Sequence, residues 1–251
     1  MYRGCSHAAL FLATCCNGAF AAPMWSEING PSSSPPPTSL AALADQAARN
    51  LRSTGQRVAC FESTSGGLIQ ASLLATPGAS KITTCGAISY TSSRAVPVQK
   101  VQSLDEPLDK DGHRCRPKDG TEYIASKQER VMTLARQKRR ETGATWCIVE
   151  NGASGPTFAY DDLSAGFSAI FVSGPGVERG VLVRSAHANR EENMWLFTRM
   201  ALDLLADCVA EAEAAAAKAV DAPVSPPPAP VLAVVEDRYG GVEVSVREGA
   251  E

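Results

Sequence analysis

The stretch "VACFESTSGGLIQASLL", from Val58 to Leu74, joins an apolar run to a helix-forming run through a turn of hydroxyl residues and glycines. Val58 to Phe61 predicts a buried strand, and Gly66 to Ala75 predicts a helix. Two interpretations of the turn compete. Either Ser63 or Ser65 caps the helix, or hydroxyls and bare backbone N–H groups bind a substrate there.

Strands and helices alternate on both sides of this stretch. Ser39 is expected to cap a helix that ends at Gly55, and a second helix is predicted from about Glu122 to Glu141. Further strands are predicted at Ile82–Tyr90, Thr145–Glu150, Phe167–Val172 and Gly180–Arg184, the last two as an antiparallel pair, and Ser185 or Asn189 begins the final long helix. This alternation predicts a three-layer α/β/α sandwich with a mixed central sheet.

The composition limits the classes of function. The chain has 251 residues, of which 44% are hydrophobic, enough for one α/β domain with its own core. A formal net charge of −3 gives no general attraction for nucleic acid, so no nucleic-acid partner is expected. The eight cysteines show no CxxC spacing and no zinc-ligand spacing with histidine. The chain also has no HExxH motif and no paired His-Asp spacing, so neither a metal nor a cofactor is expected.

Both ends of the chain differ in composition from its middle. Residues 1–38 combine an apolar leader with a Pro/Ser-rich linker, and residues 219–251 combine a Pro/Ala-rich linker with a tail or hairpin around Tyr239-Gly240-Gly241. The leader fits a secretory signal or an organellar transit segment; the alternative is a disordered extension or a misassigned start upstream of Met24. Its apolar run is too short to span a bilayer, so no membrane association is expected. The domain is therefore predicted at residues 39–218.

The cysteines also bear on the compartment. Cys60, Cys85 and Cys147 fall inside apolar runs, where a reduced cysteine behaves as a small hydrophobic residue. This favours a reducing compartment over a disulfide framework. The expected location is therefore the cytoplasm, or an organelle after removal of the leader.

Two turns carry the residue types of a binding site. Ser63, Thr64 and Ser65 are predicted at the carboxyl end of a strand and the amino end of a helix, the edge where open α/β sheets bind ligands. A second turn, "ENGASGPT" from Glu150 to Thr157, also follows a buried strand and also offers glycines and hydroxyls. The alternative for it is an ordinary strand-to-hairpin loop. We expect the two turns to converge at one edge of the sheet.

These residues carry a resemblance to a known family. "FESTSGG", followed by "PGAS" and Tyr90, resembles the acidic residue, Ser, small residue, Thr/Ser, Gly-Gly opening of the CinA C-terminal domain family. "ENGASGPT" resembles that family's Gly-x-Ala-Gly-Pro loop, and "HANREENMWLFTRMALDLL" resembles its closing Asp/Asn-Arg element and final helix. The three blocks follow the family's order and cover roughly Leu40 to Val209.

The resemblance implies an amidohydrolase that deamidates nicotinamide mononucleotide to nicotinic acid mononucleotide and ammonia, in pyridine nucleotide salvage. Matched by position, the catalytic residues are Ser63 as nucleophile, Ser65 and Tyr90. The substrate-binding positions are Thr64, Gly66, Gly67, Arg94, Asn151, Gly152, Ser154, Gly155 and Arg190. Gly66 and Gly67 would lend backbone N–H groups to an oxyanion or phosphate. A small-molecule nucleotide and further copies of the chain, as a homo-oligomer, are the partners that the resemblance implies.

Departures from the family pattern leave a second interpretation open. The deamidases have a lysine five residues after the tyrosine, and that position is Ala95, beside Arg94, whose guanidinium cannot act as a base. The family's Lys-Pro-Val-Gly is missing before the hairpin, where "DLSA" precedes Gly166. His187 could serve as the base, or could be a solvated turn residue. The alternative function is a catalytically inactive member that binds a nucleotide or acts as an interaction module.

Overall fold

A computed structural model describes residues 23–30, 39–90, 117–160, 162–220, 232–236 and 242–246. Its helices are α1 (Leu40–Ser53), α2 (Leu68–Leu74), α3 (Gly120–Thr142) and α4 (Arg190–Val220). Its strands are β1 (Met24–Asn29), β2 (Val58–Glu62), β3 (Thr83–Ile88), β4 (Trp146–Ala153), β5 (Ala159–Tyr160), β6 (Leu163–Ser164), β7 (Phe167–Ser173), β8 (Glu178–Arg184), β9 (Leu232–Glu236) and β10 (Val242–Val246).

The central sheet has the strand order β1-β8-β7-β4-β2-β3. β2 runs parallel to both β3 and β4, β7 runs antiparallel to β4 and β8, and β1 runs parallel to β8. The antiparallel pair β7–β8 confirms the predicted hairpin. The mixture of strand directions confirms the predicted mixed sheet.

Helices cover both faces of this sheet. Because successive residues of a strand point to opposite faces, β2 contributes to two cores. Val58 and Cys60 pack with residues of α1, α2 and α4, whereas Ala59 and Phe61 pack with residues of α3. The three-layer α/β/α sandwich predicted from the sequence is therefore confirmed.

The first helix begins as the sequence predicts. The Ser39 hydroxyl accepts a hydrogen bond from the Ala42 N–H at 3.1 Å, which satisfies one of the amide groups that a helix leaves without an internal partner. Gly55 follows the end of α1 in the left-handed conformation, with a φ of 66°. The predicted cap and the predicted stop are both observed.

β1 is a strand that the sequence analysis did not predict, because its residues were assigned to the leader and linker of residues 1–38. All of its residues are exposed except Trp25, which is half-buried. The Trp25 ring lies 5.6 Å from the Phe171 ring, and a Cβ at Gly180 would lie 2.6 Å from it. An edge strand with one inward side chain lacks the alternation that identifies strands. The sheet therefore includes residues that precede the predicted domain boundary at Ser39.

The chain divides into two compact units, Met1–Ala214 and Ala215–Glu251. The first contains the six-stranded sheet. In the second, β9 and β10 pair antiparallel, which agrees with the hairpin predicted around Tyr239-Gly240-Gly241. Among the described residues, no helix combines the length and the hydrophobicity needed to cross a membrane.

Replacing Trp25 by alanine is expected to lower the free energy of unfolding by about 1–3 kcal/mol, because a half-buried aromatic ring is lost from the sheet. Chemical denaturation followed by circular dichroism measures this change. The matched control is Met24→Ala on the same strand, at a side chain that is 62% exposed, with an expected change within about 0.5 kcal/mol. Equal effects of the two substitutions would contradict the packing of β1 on the sheet.

Candidate functional site

The centre of the site is the turn between β2 and α2. Ser63 and Thr64 are 6% exposed and Ser65 is fully buried. The parallel pairing of β2 with β4 places Phe61 beside Val149. The same register, continued by one residue, places Glu62 beside Glu150.

Glu62 caps α2 from the end of the preceding strand. Its Oε2 accepts hydrogen bonds from the N–H groups of Gly67 at 2.9 Å and Ile69 at 3.1 Å, and its Oε1 accepts one from the Gln70 N–H at 2.8 Å. Amide groups in the first turn of a helix have no partner within the helix. The cap of α2 is therefore a glutamate and not Ser63 or Ser65, which corrects the first interpretation of this turn.

Glu150 holds the turn from the neighbouring strand. Its Oε2 accepts hydrogen bonds from the Ser63 N–H at 3.1 Å and the Ser65 N–H at 2.9 Å, and it lies 2.8 Å from the Ser65 hydroxyl oxygen. Its Oε1 accepts from the Ser168 hydroxyl at 2.5 Å and from the Thr64 hydroxyl. Glu150 is 1% exposed, so these bonds replace the water that a carboxylate would otherwise require.

Burial raises the pKa of Glu62 above its ordinary value, and the nearby charge of Glu150 raises it further. Hydrogen bonds from Gln70, Ser65 and Ile69 act in the opposite direction by stabilising the ionised form. The net direction is upward. Glu62 is thus more easily protonated than an exposed glutamate.

The sequence analysis gave a functional role to neither glutamate. A charged residue between an apolar run and a polar turn is commonly exposed, so its type alone gives little signal. A signal was nevertheless present. The stretches "VACFE" and "WCIVE" each have a glutamate at the fifth position, after four apolar or small residues, and a parallel pair of equal register brings these two carboxylates together.

Gly66 and Gly67 do not offer free N–H groups, which corrects their predicted role in binding an oxyanion or phosphate. The Gly66 N–H donates to the Ser63 carbonyl oxygen at 3.2 Å, and the Gly67 N–H donates to Glu62. Their φ angles are 68° and 96°, in the left-handed region that favours glycine. The two glycines shape the turn.

Two groups of the turn keep unused hydrogen-bonding capacity. The hydroxyls of Thr64, Ser65 and Ser168 all donate to carboxylates. The Ser63 hydroxyl and the Thr64 backbone N–H have no hydrogen-bond partner among the described residues. A nucleophile needs a hydroxyl of this kind, and an oxyanion needs an N–H of this kind.

The second turn begins later than the sequence predicts. β4 continues to Ala153, so Asn151 and Gly152 lie in the strand and not in the loop. A Cβ at Gly152 would lie 2.1 Å from the Phe167 carbonyl oxygen on the neighbouring strand. Close approach of two backbones therefore explains this glycine, and Asn151 is half-buried within the same ladder.

Ser154 and Gly155 join the second turn to the first turn and to α4. The Ser154 hydroxyl donates to the Thr64 carbonyl oxygen at 3.0 Å, and a Cβ at Gly155 would lie 2.4 Å from the Ala188 carbonyl oxygen. The fully buried Asn193 donates from its Nδ2 to the Ser154 carbonyl oxygen at 2.7 Å. The two turns do converge at one edge of the sheet.

Tyr90 and Arg190 also meet at this edge. The Arg190 Nη1 donates to the Tyr90 hydroxyl at 2.6 Å. Ser89, the residue before the tyrosine, donates its N–H to the carbonyl oxygen of the last residue of β2 at 2.8 Å. A Cβ added at Gly66 would lie 2.7 Å from the terminal methyl group of Met194, which is one turn after Arg190 on α4. The pair therefore borders the Ser63 turn, and the tyrosine is 62% exposed.

The structure does not bring a base to Ser63 among the described residues. The His187 Nδ1 accepts from the Asn189 N–H at 3.3 Å, and its Nε2 lies 3.5 Å from the Glu192 carboxylate. Both ring nitrogens thus contact residues near the start of α4, which argues against His187 as the base. Arg94 and Ala95 lie outside the described residues.

A separate cavity of about 310 Å³ lies beside α3, lined among others by Glu27, Gly120, Asp162 and Arg184. It includes no residue of the two turns. Within the described parts of the chain, no group of three or more His, Cys, Asp or Glu side chains is arranged to hold a metal ion.

Curated relatives match part of the chain. A "CinA-like protein" of Parasynechococcus marenigrum is 31% identical over 125 residues, 50% of this chain and 26% of the relative. A "CinA-like protein" of Desulfosudis oleivorans is 29% identical over 164 residues, 65% of this chain and 36% of the relative. The chain therefore spans between a quarter and two fifths of the length of these relatives.

Solved structures share the fold. A competence or damage-inducible protein from Enterobacter asburiae matches with a TM-score of 0.55 and 17% identity, over 69% of this chain and 99% of that one. A competence-damaged protein (CinA) superfamily protein from Escherichia coli matches with a TM-score of 0.54 and 21% identity, over 67% and 90%. The family model of the CinA C-terminal domain matches residues 40–209. Since this match covers more than half of the sequence, the chain belongs to the CinA C-terminal domain family.

Proposed function

We propose that this protein is an amidohydrolase that uses Ser63 to deamidate nicotinamide mononucleotide or a related pyridine nucleotide. One observation carries the proposal. Of the three consecutive hydroxyl residues in the turn, only Ser63 keeps a hydroxyl without a hydrogen-bond partner among the described residues, while its backbone is held by Glu150. The motif around it is the one through which the sequence resembles the nicotinamide-nucleotide amidohydrolases.

In this reaction the Ser63 Oγ forms a bond to the carboxamide carbon of the substrate, and the serine proton passes to a base. The carbonyl oxygen becomes an oxyanion. The Thr64 N–H is the donor that we propose for it, since the amide after a nucleophile serves as an oxyanion donor in other hydrolases. Collapse of this intermediate breaks the C–N bond, and the protonated nitrogen leaves as ammonia. Water then hydrolyses the acyl-serine to the carboxylic acid and restores the hydroxyl.

Arg190 is the residue proposed to bind the phosphate of the nucleotide. Its guanidinium presents several N–H donors in one plane, which suits phosphate oxygens. The hydrogen bond to the Tyr90 hydroxyl leaves other donors of that guanidinium available. The pair borders the Ser63 turn, so one nucleotide could contact both.

A second candidate is a nucleotide-binding protein without hydrolase activity. It is favoured by the lack of a described base near Ser63 and by Ala95 at the position where the deamidases have lysine.

Either candidate is proposed to work as a homo-oligomer, as the family resemblance implies. Sedimentation of the full chain would measure the number of copies.

Replacing Ser63 by alanine is expected to lower ammonia release from nicotinamide mononucleotide at least about 1,000-fold, because loss of a nucleophile removes the covalent step. Ammonia is measured with the purified full chain. The matched control is Ser72→Ala, a fully buried serine on α2 whose hydroxyl bonds the Leu68 carbonyl oxygen, and its activity should be close to that of the native chain. Equal rates in native and Ser63→Ala protein would reject the nucleophile. A native chain that binds the nucleotide and releases no ammonia would establish the second candidate.

Replacing Arg190 by alanine is expected to weaken binding of nicotinamide mononucleotide about 10- to 100-fold, since hydrogen bonds to a charged group are lost. Binding of nicotinamide riboside, which lacks the phosphate, should change little. Calorimetry of both ligands on both proteins separates the two effects. Equal weakening for the two ligands would show that Arg190 does not contact the phosphate.

A further inference from the structure

Two buried carboxyl groups lie on either side of one hydroxyl. Glu62 and Glu150 are each 1% exposed. The Ser65 Oγ lies 2.8 Å from the Oε2 of Glu62 and 2.8 Å from the Oε2 of Glu150. The two carboxyl oxygens are therefore separated by no more than twice that distance.

If both glutamates are ionised, there are too few hydrogen atoms to form hydrogen bonds at both of these contacts. A serine hydroxyl has one hydrogen, so Ser65 donates to only one of the two carboxylates. The other 2.8 Å contact would then join two oxygen atoms with no hydrogen between them. One added proton, carried by either carboxyl group and donated to the Ser65 Oγ, turns that contact into a hydrogen bond. Buried carboxylates this close usually bind one proton as a pair, because two negative charges there repel strongly.

In the part of the chain that the structure describes, no positive charge is paired with these glutamates, so none there removes the need for this proton. The Cys60 thiol on β2 faces Glu62, and burial raises its pKa well above the ordinary value. α2 contains no titratable residue, and β7 contributes the neutral hydroxyl of Ser168. At the start of α4, Arg190 bonds Tyr90 and makes no described contact with either glutamate.

We infer that Glu62 and Glu150 share one proton through Ser65, and that this bridged pair positions Ser63 and the Thr64 amide. Glu62 holds the amino end of α2, and Glu150 holds the backbone of Ser63 and the hydroxyl of Thr64. The bridge through Ser65 joins these two anchors. The glutamates are positioning residues, and the inference stands whether the site hydrolyses a nucleotide or only binds one.

The shared proton makes stability depend on pH with a defined sign. The ordinary pKa of a solvated glutamate, as in an unfolded chain, is 4.5. Above that pH the folded chain keeps a proton that the unfolded chain has lost, so stability falls as pH rises and continues to fall until the pair loses its proton. A pair with both carboxylates ionised in the folded state would show no such loss.

The first test is infrared spectroscopy of the native full chain. A shared proton gives a C=O stretching band of a buried carboxylic acid that persists at neutral pH, and the band should disappear as the pair loses its proton at higher pH. Glu62→Gln and Glu150→Gln each remove one charge, and the amide can still donate to Ser65, so the band should be absent in both. The control Glu129→Gln changes an exposed glutamate on α3 and should keep the band.

The second test is the pH dependence of the urea midpoint. The native chain should lose stability from about pH 5 upward, and both glutamine variants at the pair should show a smaller loss, with Glu129→Gln matching the native chain. Neither measurement needs a substrate, so the expected results for the glutamate pair stay the same if the amidohydrolase proposal fails. A folded native chain without the acid band at neutral pH would overturn the inference, even if a glutamine variant failed to fold. Identical pH profiles in the native chain and folded pair variants would also overturn it.

Discussion

The parallel register between β2 and β4 determines most of what is found at the site. Neither β2 nor β4 is an edge strand of the sheet, and the paired parts of both strands are buried on both faces. Since neither strand can shift by one residue without turning its apolar side chains to the wrong core, the register is strongly specified. Glu62 and Glu150 are consequently brought side by side by the same packing that forms the cores. The turn at Ser63 is then built around two carboxyl groups that already have fixed positions.

The sequence predicted the architecture well where periodicity was strong. The strand at Val58, the pair β7–β8 and the helix capped by Ser39 were all identified from local patterns. β1 was missed because Trp25 is its single half-buried residue, so its sequence shows no alternation of buried and exposed side chains. Such an edge strand is specified by a distant partner, β8, and distant pairing leaves little trace in a local pattern.

The candidate site was predicted in position but not in its chemistry. The convergence of the two turns was expected from the order of strands and helices and is observed, whereas the contact of Tyr90 with Arg190 was not predicted. The partners of the hydroxyls were not predicted either, because a serine in a turn has the same appearance in sequence whether it faces a ligand or a buried carboxylate. The roles expected of Gly66 and Gly67 failed for the same reason. Their N–H groups are used by Ser63 and Glu62, and only side-chain geometry shows this.

The cap of α2 by Glu62 has a consequence for how the site meets a ligand. The amino end of a helix ordinarily attracts anions, but here an internal carboxyl group already occupies it. A ligand phosphate would therefore depend on side chains outside α2. The same cap also means that the turn is organised without a ligand, because most of its polar groups already have partners in the protein. Binding to such a preorganised surface requires little loss of conformational entropy from the turn, so selectivity can depend on the fit of the ligand to a rigid surface.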